Sequence, residues 1–166
     1  IDVIPDRIEA GTFLMAGALM GKITLKEVNP EHLDAVLQKL KEVGALIETT
    51  SNSVTIENGG LKPVDMKTAV YPGFATDLQA QWVALMSLAD GSSMVTDTVY
   101  HDRFSHVPEL NRFGANIKVD KNTAFIRGVK ELVGAPVMSN DIRASAALII
   151  AALAAKGQTE VSRVYH

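Results

Sequence analysis

The sequence predicts an α/β fold made of a repeated unit with apolar helices inside and sheets outside, and three observations predict it. A helix-then-strand pattern recurs around Gly21, Gly91 and Gly157, which lie 70 and 66 residues apart. The first helical segment of each unit is apolar nearly all round, while the second carries a single apolar stripe. The chain has 166 residues, 47% of them hydrophobic and 21% charged, with no cysteine, so it can bury a core without disulfides.

The first helices come in order. Asp6, Arg7, Ile8 and Glu9 open an apolar segment over 12–20, Thr76, Asp77, Leu78 and Gln79 open another over 80–89, and Asn140, Asp141, Ile142 and Arg143 open a third over 144–155. Each opening reads as a helix cap: Asp6 with Glu9, Thr76 with Gln79, and Asn140 followed by the acidic Asp141. Alternating runs after the glycines, 22–28, 92–100 and 158–165, predict half-buried strands. In the first two units an amphipathic helix follows, over 31–43 and 107–113, closed by Gly44 or Gly114. Two hairpins come next, pairing 46–49 with 54–57 and 116–119 with 124–127. Unit 1 covers about 1–70, unit 2 about 71–137, and 138–166 forms part of a third, all within one incomplete domain. A helix with no polar face must be wrapped by protein, which places the three first helices centrally rather than on the outside of a doubly wound sheet.

Composition narrows the function. Sixteen basic against nineteen acidic residues give a net charge of −3, which disfavours nucleic acid and anionic membranes as partners. The apolar run 144–155 falls short of the roughly 20 residues a membrane span requires, and a cytoplasmic location is expected. His101 and His106 lack further ligands at metal-binding spacing, and neither a metal nor a cofactor is expected. There is no nucleophile elbow, no glycine-rich phosphate loop and no thiol.

Three convergent helix starts can form an anion-binding or polar surface, or serve as caps alone. Asp77 stands out. If Thr76 supplies the cap and Gln79 its reciprocal contact, the Asp77 carboxylate is spare and can accept a proton from a substrate hydroxyl. The loop 99–106 gathers ring, imidazole and guanidinium groups, and Arg103 in it can meet a phosphate or carboxylate, or pair with Asp102 or Glu109.

Four segments in order carry a resemblance: residues 5–13 (Pro-Asp-Arg-Ile-Glu-Ala-Gly-Thr-Phe), 76–81 (Thr-Asp-Leu-Gln-Ala-Gln), Asp102-Arg103-Phe104 with 106–110, and 141–146. Together they closely resemble the enolpyruvyl transferase family, specifically its cell-wall branch; the shikimate branch lacks this combination. The resemblance implies an inside-out α/β barrel of two domains with three repeats each. It implies transfer of the enolpyruvyl group of phosphoenolpyruvate to the 3-hydroxyl of UDP-N-acetylglucosamine with release of phosphate, the first committed step of peptidoglycan synthesis. By resemblance Asp77 contacts the sugar hydroxyl as general base, and Val99 binds the sugar nucleotide, through its main chain. Arg103 meets carboxylate or phosphate, and Asp141 aids proton transfer or sets helix-start geometry. A related transferase with another acceptor and a non-catalytic module that keeps the fold are the alternatives. Ala75 stands where the family often has proline. The family's Lys-Asn pair, its mobile loop with a cysteine or aspartate acid, and an arginine beyond Tyr165-His166 have no counterpart here. The expectation is that these residues are most of one domain, rely on a second domain, do not turn over alone, and self-associate through uncovered apolar surface at 146–153.

Overall fold

A computed structural model describes residues 3–164. The first unit holds α1 (Arg7–Met20), β1 (Lys22–Lys26), a 3-10 turn (Pro30–Leu33) running into α2 (Asp34–Val43), and the strands β2 (Leu46–Thr49), β3 (Ser53–Glu57) and β4 (Met66–Lys67). The second holds a 3-10 turn (Thr76–Leu78) running into α3 (Gln79–Met86), then β5 (Ser92–Thr96), α4 (Val107–Arg112), β6 (Asn116–Asp120), β7 (Thr123–Arg127) and β8 (Pro136–Met138). The third contributes α5 (Ile142–Ala154) and β9 (Glu160–Ser162).

The hairpins form as expected. β3 lies between β1 and β2, antiparallel to both, with Ile56 opposite Ile23 and Ile47. In the second unit β7 lies between β5 and β6 in the same way, with Ile126 opposite Ser93 and Ile117. The connecting strands behave differently from the hairpins. β4 pairs parallel with β5, Met66 opposite Val95, and β8 pairs parallel with β9, Pro136 opposite Glu160. Each unit therefore gives its last strand to the sheet of the next, and the units interlock.

Helices lie inside. All eight residues of α3 are buried, and α1 and α5 pack against it and against each other. Gln81 Nε2 of α3 donates to Thr12 Oγ1 of α1 at 3.1 Å. Trp82 is fully buried, its ring meeting Phe74 edge to face at 5.4 Å. α2 presents the expected single stripe, with Val36, Leu37, Leu40 and Val43 buried. Gly44 ends α2 in the left-handed region at φ 113, which only glycine adopts cheaply. Gly91 combines φ 144 with Pro63 so close that an added Cβ would lie 2.8 Å from its ring. α1 and α5 are covered on one side only: Phe13 and Met20 on α1, and Ile142, Ile149 and Leu153 on α5, are each 50–55% exposed.

Several boundaries differ from the sequence expectation. The strand expected over 92–100 ends at Thr96, because the Asp97 carboxylate gathers the next backbone amides into a turn. The strand expected over 158–165 is only Glu160–Ser162; Tyr165 lies outside the described residues. Asp6 caps α1 as expected, accepting from the N–H of Ile8 at 2.7 Å and of Glu9 at 3.2 Å. Thr76 is no cap: Ala75 holds that position with no side-chain bond, and the Thr76 hydroxyl turns to Asp97. In the third unit Asp141 rather than Asn140 caps α5, accepting from Arg143 N–H at 2.7 Å and Ala144 N–H at 2.9 Å. No helix among the described residues is long and apolar enough to cross a membrane.

Candidate active site

The starts of α3 and α5 meet the loop that follows β5, and the site forms there. Its base is Asp97, fully buried at the end of β5. Oδ1 accepts from Thr68 Oγ1 at 2.8 Å and from the backbone N–H groups of Val99 and Tyr100 at 2.9 Å each. Oδ2 accepts from Thr76 Oγ1 at 2.6 Å. Burial alone would raise this carboxyl, but the bonds from Thr76, Tyr100, Thr68 and Val99 outweigh it and hold Asp97 below the ordinary carboxylate range.

Above that base the loop returns Arg103 toward the start of α3. Its Nη1 donates to Thr76 Oγ1 at 3.0 Å and its Nη2 to Asp77 Oδ1 at 2.8 Å. The Tyr100 ring lies under the guanidinium, 5.1 Å from its carbon. From the start of α5, Arg143 Nε reaches the same Asp77 Oδ1 at 3.3 Å. Three elements thus converge on one carboxylate. The side chain of Asp77 is 36% exposed, so the cluster lies at an open surface rather than sealed in the core.

This geometry corrects the premise that Asp77 is spare. Thr76 does not cap, and the amide of Gln79 is buried without a partner among the described residues rather than reaching back to the helix start. Asp77 Oδ1 is held by two guanidinium groups. Oδ2 accepts no hydrogen bond among the described residues, and that oxygen can receive a ligand hydroxyl. Arg103 pairs with Asp77 and not with Asp102 or Glu109. Glu109 Oε2 instead accepts from the N–H of Met138 at 2.8 Å, tying α4 to β8.

Val99 sits in the same turn, its N–H given to Asp97 and the residue 41% exposed. Only its carbonyl and side chain remain available to a ligand. Asp141 lies on the other flank. One carboxylate oxygen caps α5, and the other is 3.5 Å from Ser105 Oγ, while Asn140 Nδ2 donates to Ser105 C=O at 3.3 Å. Its place is at the helix start, within the neighbourhood of Arg143 and the 103–106 loop.

His106 is 2% exposed and its Nε2 lacks a partner among the described residues. No group of metal-ligating side chains forms among the described residues. Sequence reasoning missed two members of the cluster. Nothing in the sequence marks Arg143 as a contact of Asp77, although its place two residues after Asp141 puts it in the first turn of α5. Asp97 reads in sequence as one polar position of an alternating strand.

The EPSP synthase family signature, described as 3-phosphoshikimate 1-carboxyvinyltransferase, matches residues 1–166. The chain belongs to the EPSP synthase family. Among relatives in this family, a UDP-N-acetylglucosamine 1-carboxyvinyltransferase from Chlorobium chlorochromatii (strain CaD3) is 56% identical over 163 residues, which is 97% of this chain and 38% of the relative. One of the same name from Hydrogenovibrio crunogenus (strain DSM 25203 / XCL-2) is 55% identical over 99% of this chain and 40% of its own length. The chain spans about two fifths of the length of these relatives. Its fold matches the enolpyruvyl transferase NikO from Streptomyces tendae with a TM-score of 0.89 at 28% identity, over 100% of this chain and 40% of that one. EPSP synthase from Acinetobacter baumannii matches at a TM-score of 0.76 and 20% identity, which speaks to the shared fold alone, over 100% of this chain and 41% of that one. The inside-out α/β arrangement read from the repeats is the arrangement of this family.

Proposed function

We propose that this chain is part of an enzyme that transfers the enolpyruvyl group of phosphoenolpyruvate to the 3-hydroxyl of UDP-N-acetylglucosamine, in the first committed step of peptidoglycan synthesis. The names of relatives at 55–56% identity support this reading. The observation that carries it here is Asp77, with one oxygen fixed by Arg103 and Arg143 and the other accepting no hydrogen bond among the described residues, on a side chain 36% exposed.

In this reading the Asp77 Oδ2 accepts the hydroxyl proton as the sugar oxygen forms its bond to C2 of phosphoenolpyruvate, while C3 takes a proton from an acid. Loss of a C3 proton and cleavage of the C2–O bond to phosphate then restore the double bond. Arg103 and Arg143 offer planar donor forks to the carboxylate or phosphate of the substrates, with Asp77 keeping both in place beforehand. Val99 borders the sugar nucleotide through its carbonyl and side chain, and Asp141 holds the start of α5 and therefore Arg143. The family's loop acid has no counterpart in this chain, so it would come from a second domain, and no cofactor is involved.

We also read the chain as one domain of two full units and the start of a third, working in the cytoplasm. β9 supports that division, since it has β8 on one side but, among the described residues, no hairpin strand of the kind that β1 and β5 pair with.

Calorimetric titration tests the acceptor. UDP-N-acetylglucosamine should bind and shikimate 3-phosphate should not, and Asp77→Ala should weaken binding about tenfold or more, as expected for losing a charged hydrogen-bond partner. Preferential binding of shikimate 3-phosphate would overturn the reading. Mixed with both substrates, the chain alone should release no phosphate; release at the rate of a full-length relative would show that the site is already complete.

A further inference from the structure

The cluster's two arginine contacts explain how Asp77 is held, but not what places Arg103 itself. Arg103 sits on an irregular loop, where a long side chain ordinarily samples many rotamers. Here its Nη1 binds Thr76 Oγ1 at 3.0 Å, and that hydroxyl donates in turn to Asp97 Oδ2 at 2.6 Å. The same Asp97 draws in the N–H groups of Val99 and Tyr100, which sets the turn from which Arg103 departs and the ring beneath its guanidinium. Thr68, next to β4, donates to it as well, at 2.8 Å, and also accepts from Thr98 N–H at 2.9 Å. One fully buried carboxylate therefore joins a strand of the first unit, the start of α3 and the ligand-side loop.

We propose that Asp97 is a positioning residue of the transfer reaction, acting through Thr76 to fix Arg103 against Asp77 and through two backbone amides to fix Val99. This rests on the function proposed above for its catalytic meaning, though the mechanical part stands on geometry alone. A hydrophobic replacement would leave at least four donors without their acceptor. A fold-stabilising role by itself would need only satisfied donors, whereas the chain Asp97 to Thr76 to Arg103 runs outward to the open surface and ends on the groups that face a ligand.

The test uses the whole chain and three substitutions. Thr76→Val removes the link while leaving the other three Asp97 contacts. Thr76→Ser keeps the hydroxyl. Asp97→Asn keeps an acceptor for the turn but presents an NH2 group, in place of an acceptor, to Thr76. Two measurements are read: the separation of the Arg103 Nη resonances by NMR, which reports restricted guanidinium rotation without any ligand, and calorimetric affinity for UDP-N-acetylglucosamine. The wild type and Thr76→Ser should keep separate Nη resonances and affinities within about twofold of each other. Thr76→Val and Asp97→Asn should merge those resonances and lower affinity about tenfold, the scale of losing a hydrogen bond to a charged group.

Arg103 signals that stay separate in both Thr76→Val and Asp97→Asn would overturn the proposal, even if the melting temperature falls, since a structural role alone would give that pattern. Merged signals with unchanged affinity would overturn its functional half. If the wild type fails to bind the sugar nucleotide, the proposed function is what fails for this chain, and the Arg103 resonances still decide the positioning.

Discussion

His106 ends the ligand-side loop, just before α4, with a buried ring and no partner for Nε2 among the described residues. Burial pushes its pKa down to about 4 from an ordinary 6.5; the Arg103 charge pushes the same way and Asp141 partly opposes it. Between those values the unfolded chain binds a proton that the folded chain does not, so stability falls as pH drops from 6.5 toward 4. The full effect is on the order of 3 kcal/mol, and His106→Leu should flatten this part of the pH profile in urea midpoints measured from pH 7.5 to 4.5. Asp97 has the other sign of origin and the same direction of loss: its contribution is complete above the ordinary carboxylate value and is lost only as pH falls further, through its lowered one. Asp77 and Arg103 were legible in the sequence as groups able to work at a helix start and a loop. Asp97 was not, because its role depends on Thr68 and Thr76, which are 29 and 21 residues away, the first brought beside it by the parallel pairing of β4 with β5 and the second by the start of α3.

Among the elements, α3 is buried over all eight of its residues. It is apolar nearly all round, and that property made its interior position readable before any tertiary contact was known. Trp82→Ala should cost about 3–5 kcal/mol, measured by denaturant unfolding, since it empties a fully enclosed site. Trp82→Phe should cost less than half as much, because the indole N–H it removes has no partner among the described residues. Asp6→Ala, which removes only the cap of α1, should cost about 1 kcal/mol. Hairpins were legible from turn residues and alternation, and α2 from its stripe. β4 and β8 are hard to locate in the sequence, since two- and three-residue strands carry no readable period and parallel partners are distant in sequence. The α3 start misled for a different reason. Thr76 has the residue type of a cap, but a buried carboxylate competes for its hydroxyl and prevails at 2.6 Å.

For the whole molecule, the one-sided cover of α1 and α5 is the dominant feature. Phe13, Met20, Ile142, Ile149 and Leu153 are half exposed, and the open edge of β9 lies next in sequence to α5. Apolar surface of this kind favours association. Sedimentation velocity should show a concentration-dependent coefficient, and Ile149→Glu together with Leu153→Lys should restore a monomer; a monomer for the unmodified chain at all concentrations would count against the expectation. The threefold plan was legible because its glycines and caps recur at nearly constant spacing.

The strand handover between units bears on anyone trying to lift one module out of this scaffold. A piece cut at 71–137 would abandon Met66–Lys67 and leave the flank of Ser92–Thr96 bare, an invitation to edge-to-edge aggregation. Moving both cuts a few residues upstream, so that the excised piece begins ahead of Met66 and stops short of Pro136, would keep its sheet whole. The functional module and the sequence repeat are out of phase by one strand.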